Sequence, residues 1–443
     1  MVKVHAVGGY SEVGRNMSCV EFEKDAFILD CGLYLTPIIE MDDSQNLYHE
    51  RGMRSIGAIP DDHYLEKVDV KKKIKAILLS HAHLDHLGAL PYLAHRYANV
   101  PIIGTPYSIE VLKAICKDSD IRLPNRLQVI QPDSSIKIGD HEIEFVGMPH
   151  STIQTSLIAI HSPEGAVVYV NDPKLDETPI LNPATNRKKM MELGEKGVLT
   201  LLVDGLYSDF KRKTPSEKIA RELLEDVLTK ENSENVGIIV TTFASHIPRL
   251  KSIIEFSKKI GRKPLLLGRS MYRYVTAAER IGLAPFVKDA EILTYKNQIK
   301  RRLTQIENER DKWVIVCTGN QGELNSVLVR LDKGVFPFKI RSGDHVIFSS
   351  KTIPIPVTIA NRERLEKSLH NKGARIFTDV HTSGHMSRED IRDLINMLKP
   401  KHLIPVQGDL KVLAPVAELG KEMGYEIGKN VHLMQDAETL ELK

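Results

Sequence analysis

Within six residues, His81-Ala82-His83-Leu84-Asp85-His86, the chain places three imidazoles and a carboxylate directly after the apolar run Ala76-Ile77-Leu78-Leu79-Ser80. Ordinary loops have no need of three histidines, whereas metal sites do. Residues two apart point the same way while the chain is extended, so His81 and His83 can grip one cation. Asp85 and His86, past the turn, reach a second. His150 follows Met148-Pro149 at another strand end, and Asp172 follows the run Ala166–Val170. The expected sets are His81, His83, His150 and Asp172 around one cation, and Asp85, His86 and the shared Asp172 around the other. Asp176 competes for the shared place, and the strand-end position favours Asp172. Two cations about 3.5 to 4 Å apart with a bridging hydroxide clamp the attacking and leaving oxygens of an in-line displacement at phosphorus. Phosphodiester hydrolysis is therefore the expected chemistry, and no Ser-His-Asp pattern competes with it.

These ligands need strands that end together. Short apolar runs alternate with amphipathic stretches along the chain, which predicts an α/β layered fold. Strands are expected at Ala26–Leu29, Ala76–Leu79, Ile143–Val146, Ala166–Val170 and Leu199–Val203. Most run into a polar residue: Asp30, His81, His150, Asp172, Asp204. Ligands at strand ends converge on one sheet edge. Asp30 is expected to orient a ligand histidine by a hydrogen bond and not to coordinate. Asp204 is expected to orient a ligand or the substrate end.

From about Ser208 the texture changes. Between Ser208 and Thr352 there are 27 Lys and Arg against 17 Asp and Glu, although the whole chain carries only +3. A basic middle in an otherwise acidic chain is a candidate polyanion surface, with a solvated helical face such as Lys300-Arg301-Arg302 accounting for part of the excess. Runs at 237–242, 264–267, 313–317 and 345–348 predict strands. Three of them enter small-residue turns: Phe243-Ala244-Ser245-His246, Gly268-Arg269-Ser270-Met271 and Thr318-Gly319-Asn320-Gln321-Gly322-Glu323. Strand, Gly/Ser turn and helix N-terminus make a phosphate-ready geometry.

The tail returns to ligand-rich texture: His381-Thr382-Ser383-Gly384-His385, a helix over 387–398, then Leu403-Ile404-Pro405-Val406 ending in Gln407-Gly408-Asp409. We expect it to rejoin the first sheets, making residues 208–352 an insertion between 1–207 and 353–443 of one metal-binding domain. At 443 residues and 42% hydrophobic, the chain is long enough for two cores. No apolar stretch reaches membrane-spanning length and no basic-then-apolar leader opens the chain, so a soluble cytoplasmic protein without membrane partners is expected. Cys19, Cys31, Cys116 and Cys317 form no C-x-x-C pair, so they are expected as small buried residues, with metal held by nitrogen and oxygen.

The chain resembles the metallo-β-lactamase fold, and its later segments narrow the likeness to the β-CASP nucleases, specifically the ribonuclease J family in its short archaeal form. The resemblance covers essentially all 443 residues: Gly8-Gly9-Tyr10-Ser11-Glu12-Val13-Gly14-Arg15-Asn16, then Asp30, the histidine loop, His150, Asp172, Asp204, Ser245, Gly268-Arg269-Ser270-Met271, Thr318 to Glu323, and Ser383-Gly384-His385, in order. It implies an αββα sandwich with an inserted β-CASP domain. It further implies a homodimeric 5′-to-3′ exoribonuclease acting on single-stranded RNA with a preference for 5′-monophosphate ends, in RNA decay and processing, with single-stranded DNA left open as a substrate. On this likeness His385 contacts the scissile phosphate and protonates the leaving group. Ser383 and the backbone of His381, Thr382, Gly384 and His385 line a substrate phosphate, with Ser245, Arg269 and Ser270 as further contacts.

One departure stands out. Where the family commonly has histidine after Ile-Pro-Val, this chain has Gln407, a poorer ligand that cannot shuttle protons. Zinc is expected at the first site, and zinc, manganese or magnesium at a weaker second site. His402, five residues upstream on the same strand, is at an odd spacing that turns it to the opposite face. Three rivals remain: a β-CASP endonuclease or DNA-directed nuclease, a catalytically weak RNA-binding subunit, for which only Gln407 speaks, and a lactonase or thioesterase, against which the basic insertion weighs. The segment Thr36 to Asp62, rich in Asp, Glu and His, reads as a cleft rim or a dimer contact.

Overall fold

The computed structural model describes residues 1–40, 47–353 and 355–442. It divides into two compact units: Met1–Glu177, Asn182–Thr214 and Gly384–Lys443 form one, and Thr178–Leu181 with Pro215–Ser383 form the other.

The first unit holds two sheets face to face. The seven-stranded sheet runs in the order Glu438–Leu442, Val2–Gly8, Met17–Glu21, Ala26–Leu29, Ile74–Leu79, Ile102–Gly104, Leu127–Val129. Its first four strands are antiparallel neighbours, and from Ala26–Leu29 onward the pairing is parallel. The six-stranded sheet runs His402–Val406, Val198–Asp204, Ala166–Val170, Thr155–Ile160, His141–Met148, Ser134–Ile138. Phe27, Leu29 and Leu78 of the first sheet interlock with Phe145, Ile158, Tyr169 and Ile404 of the second in one core. Fully burying each such side chain contributes about 1.5–3 kcal/mol. The outer face of the second sheet is apolar as well. Val146, Val168 and Leu201 there meet Met190 and Leu193 of the helix Arg187–Lys196, Leu394 of Arg388–Leu398 and Val416 of Leu410–Glu422. Strands covered on both faces read as continuous apolar runs, which is how Ala-Val-Val-Tyr-Val at 166–170 appears in the sequence. The αββα sandwich is thus realised.

The second unit is built on one six-stranded, wholly parallel sheet in the order Glu291–Leu293, Lys263–Leu267, Trp313–Cys317, Ile238–Thr241, His345–Phe348, Arg375–Phe377. This unit closes at Ser383, not at residue 352. The physical reason is that Arg375–Phe377 pairs in register with His345–Phe348 as the sheet's last strand, with the helix Pro356–Asn371 as its crossover. At the other border, residues 208–214 stay with the first unit: the amide of Thr214 donates to Asp390 (2.7 Å) and that of Arg388 to the Phe210 carbonyl (3.1 Å).

The four cysteines are buried and free. No helix among the described residues is long and apolar enough to cross a membrane. Of the segment Thr36 to Asp62, residues 41–46 lie outside the described residues. Its end is a packed node, since the wholly buried Asp62 carboxylate receives Arg54 (2.5 Å), Arg96 (2.7 Å) and the Tyr97 hydroxyl (2.9 Å).

Candidate metal centre

Three strands of the first unit end in a left-handed residue. Asp30 (φ 61°), Asp172 (φ 67°) and Gln407 (φ 72°) follow Ala26–Leu29, Ala166–Val170 and His402–Val406. Non-glycine residues occupy this region at a cost, and such strain gathers at functional sites.

Asp30 is completely buried and fully engaged. Its carboxylate accepts the Ser80 amide (2.8 Å), the Ser80 hydroxyl (2.7 Å), His86 Nδ1 (2.7 Å) and the Tyr169 hydroxyl (2.9 Å). Four donors on its two oxygens suit the orienting role expected of it. Because the Ser80 hydroxyl donates to Asp30, its oxygen accepts from His81 Nδ1 at 3.0 Å. His150 Nδ1 donates to the Gly384 carbonyl at 2.8 Å. In His81 and His150 the Nδ1 proton is therefore committed outward and the Nε2 lone pair faces inward, and in His86 Nδ1 is likewise held outward by Asp30 so that Nε2 faces inward.

Those lone pairs converge. His83 Nδ1 lies 3.0 Å from His81 Nε2 and 3.2 Å from His150 Nε2, with the Asp172 carboxylate 3.6 Å from His81. His86 Nε2 lies 3.1 Å from Asp172 and 3.5 Å from Asp85. The ligand atoms of His81, His83, His150 and Asp172 all lie within 4.8 Å of one another, as do those of Asp85, His86 and Asp172 and those of Asp172, Asp204 and His385. Burial, reinforced by neighbouring imidazoles, pushes His81 and His150 well down, and burial takes His83 to about 4. Neutral imidazoles with lone pairs packed against one another are a poor arrangement by themselves and a good one around a divalent cation. His86 behaves oppositely. Against burial, the carboxylates of Asp172, Asp85 and Asp30 raise it well above the ordinary histidine value. Both donor sets fit hard or borderline cations, and the first, with three nitrogens and one oxygen, fits zinc.

Gln407 is placed between the sets and turned the other way from a ligand. Its Oε1 accepts the Gly14 amide at 3.1 Å, which fixes the amide's orientation, and its Nε2 donates to both Asp85 and Asp172 at 3.1 Å. The oxygen that could coordinate faces the backbone, and the contribution of Gln407 is a clamp on two carboxylates. His402 sits at the start of the same strand, paired with His432 at 3.1 Å. Asp176 is taken by Lys174 at 3.2 Å. Asp204, the last residue of its strand, holds His385 Nδ1 at 2.7 Å, and His385 is 3.8 Å from Asp172. Against burial, Asp172 and then Asp204 raise His385 to about 9.

Asn16, Asn171 and Tyr169 were not legible as parts of this centre. Asn16 donates to the Asp85 carbonyl (3.0 Å) and accepts from Asn171 (3.1 Å), which in turn donates to the Tyr169 hydroxyl (2.8 Å). Their only sequence signal is closeness to Asp172 and to the glycine-rich opening.

The remaining expected contacts lie in the second unit, apart from Gly384, whose carbonyl holds His150. Ser245 precedes the helix Ile247–Lys259, and Arg269 and Ser270 open the helix Arg269–Arg280 after Gly268 at φ 118°. Both turns follow the C-terminal ends of strands in the parallel sheet. The first is partly self-capped, since His246 accepts the Arg249 amide. In the third turn Glu323 accepts the Gln321 amide. His381, Thr382 and Ser383 are the last residues of this unit.

Three family models match the chain: a β-lactamase superfamily domain over residues 59–181, a ribonuclease J β-CASP domain over 235–364, and a Zn-dependent metallo-hydrolase RNA specificity domain over 372–434. A crystal structure of a protein of unknown function from Enterococcus faecalis V583 shares the fold, with a TM-score of 0.64 at 16% identity over 99% of each chain. Ribonuclease J of Helicobacter pylori is 30% identical over all of this chain and 61% of its own length. Ribonuclease J of Pyrococcus abyssi is 38% identical over 100% of this chain and 97% of its own, and that of Methanocaldococcus jannaschii 39% over 99% and 98%. Full-length likeness at this level, on a fold that gathers the histidine loop, His150 and Asp172, places the chain in the ribonuclease J family of metal-dependent ribonucleases.

Proposed function

We propose that this chain degrades single-stranded RNA from the 5′ end, preferring a 5′-monophosphate, in cytoplasmic RNA decay and processing. The observation that carries the reading is the convergence of His81, His83, His150, Asp85, His86 and Asp172 into two overlapping donor sets that share Asp172. Zinc would be held by the first set, and manganese, magnesium or zinc by the smaller second. Bound there, the cations would polarise water and neutralise charge on the scissile phosphate. The chain's own side chains do the rest. Asp30 keeps His86 turned inward, and Gln407 keeps Asp85 and Asp172 at a fixed separation. His385, held by Asp204, would hand a proton to the departing 3′ oxygen. His381, Thr382 and Ser383, with Ser245, Arg269 and Ser270, would receive the phosphates of the strand.

The names of the relatives and of the RNA specificity domain support RNA as substrate, and the basic character of residues 208–352 suits a polyanion. A homodimer is part of the same proposal, checked by sedimentation. The deciding experiment uses an RNA labelled at its 5′ monophosphate. Mononucleotides from the first time point support the reading, whereas internal fragments first, or faster cleavage of the matching DNA, would favour an endonuclease or a DNA-directed enzyme.

A further inference from the structure

Arg249 is the largest wholly buried side chain of the described residues. It sits in the first turn of the helix Ile247–Lys259, a place where an arginine would ordinarily reach for solvent. Burying a guanidinium is tolerated only when its charge is paired and its donors are spent. Both conditions hold. Nε and Nη2 form a fork on Glu217, at 2.7 and 2.9 Å, the bidentate geometry that arginine alone supplies.

The remaining arm does something a simple ion pair does not need. Nη1 donates to the Ser349 carbonyl (2.8 Å), the Ser349 hydroxyl (2.8 Å) and the Val380 carbonyl (3.2 Å), and lies 3.4 Å from His381 Nδ1. Ser349 adds a second donor to Val380 at 3.0 Å, and Thr242 donates to the Ser349 carbonyl at 3.1 Å. Glu217, on its side, accepts the Thr382 hydroxyl at 3.4 Å and lies 3.7 Å from His246. Residues 378–383 have no helix or strand of their own, so their path is set by contacts of this kind. A single buried pair thus ties together the turn after Ile238–Thr241, the end of His345–Phe348 and the stretch Val380–Thr382.

We propose that Arg249, clasped by Glu217, is a positioning residue that holds His381, Thr382 and Ser383 in place beside the Ser245 turn for the phosphates of the bound strand. This rests on the proposed reading of those residues as phosphate contacts. Arg249 touches no substrate itself and acts through the carbonyl of Val380 and the hydroxyl of Thr382.

The test separates positioning from mere stability. In Arg249→Met/Glu217→Met both charges leave together and volume is roughly kept, a change that buried pairs often survive. Arg249→Lys keeps the charge but loses both the fork on Glu217 and the Nη1 arm that reaches Ser349 and Val380. Each is compared with wild type and with Ser383→Ala for zinc content, thermal unfolding, and KM and kcat on 5′-monophosphate RNA. Binding of a phosphorothioate oligonucleotide is measured alongside. The expected result is full zinc content, with KM and the oligonucleotide Kd raised about tenfold to a hundredfold in both Arg249 variants and kcat less affected. If the double variant does not fold, Arg249→Lys decides alone. Should a folded Arg249 variant bind like wild type while Ser383→Ala binds weakly, Arg249 is structural only and the proposal fails. Wild-type binding by Ser383→Ala as well overturns the phosphate-contact reading, and this proposal with it.

Discussion

His385 Nδ1 lies 2.7 Å from the Asp204 carboxylate, which is buried and whose other oxygen is held by the Leu206 amide at 2.7 Å. A histidine fixed in this way keeps its ring orientation and its proton. Removing either member should therefore damage the chemical step and spare metal binding. His385→Ala and Asp204→Asn are expected to lower kcat by about 10²- to 10⁴-fold, the usual worth of a positioned acid, with zinc content unchanged. Metal analysis beside steady-state kinetics checks this, and loss of zinc in either variant would mean that the pair belongs to the ligand set.

Gln407 presents N–H, not oxygen, to Asp85 and Asp172. Replacing it with an imidazole supplies the missing donor. Gln407→His should tighten the second cation by at least about tenfold, in line with the effect of adjusting groups around a metal site. Calorimetric titration of chelator-stripped protein with manganese reads this directly. Unchanged affinity would show that the two carboxylates and His86 already saturate the site.

Gly384 is pressed against the His150 ring: a Cβ there would meet its Cε1 and Nδ1 at 3.0 Å. Its carbonyl also anchors His150 Nδ1. Gly384→Ala should displace the ring and weaken the first cation while leaving the fold intact, seen as zinc lost on dialysis with a near-native unfolding temperature.

Much of the centre was legible because buried strands announce themselves as apolar runs, and a polar residue at the end of such a run has few structural reasons to be there. That logic finds Asp30, His81, His150, Asp172 and Asp204. It fails where the decisive partner is remote. The direction of the Gln407 amide is set by Gly14, 393 positions away. The edge strand Arg375–Phe377 is three residues long and exists through its pairing with His345–Phe348, so no sequence pattern marks the second unit as running on to Ser383. Arg249 in an amphipathic helix reads as a solvated charge, and only the Glu217 fork explains its burial.

The glycine-rich opening near Gln407 is pinned by Arg15, shared between Glu12 at 2.7 Å and Asp436 at 2.8 Å. Burial, and then the nearby Glu12 carboxylate, push Asp436 up to about 7. The unfolded value is about 3.9, so the folded state holds this proton more tightly. The stabilisation linked to it is fully present below about pH 4 and lost as pH rises through about 7. Asp436→Asn, always neutral, should therefore unfold at a higher temperature than wild type at pH 8, with the gap shrinking as pH falls toward 5. Thermal unfolding of both proteins across that range checks it, and a gap independent of pH would contradict the assignment.

One buried edge of the first unit should hold two divalent cations sharing Asp172. Anomalous diffraction from crystals grown with zinc and manganese, recorded at both absorption edges, tests it most directly. Two peaks are predicted, one enclosed by His81, His83, His150 and Asp172 and the other by Asp85, His86 and Asp172. A single peak, or peaks away from Asp172, would contradict it.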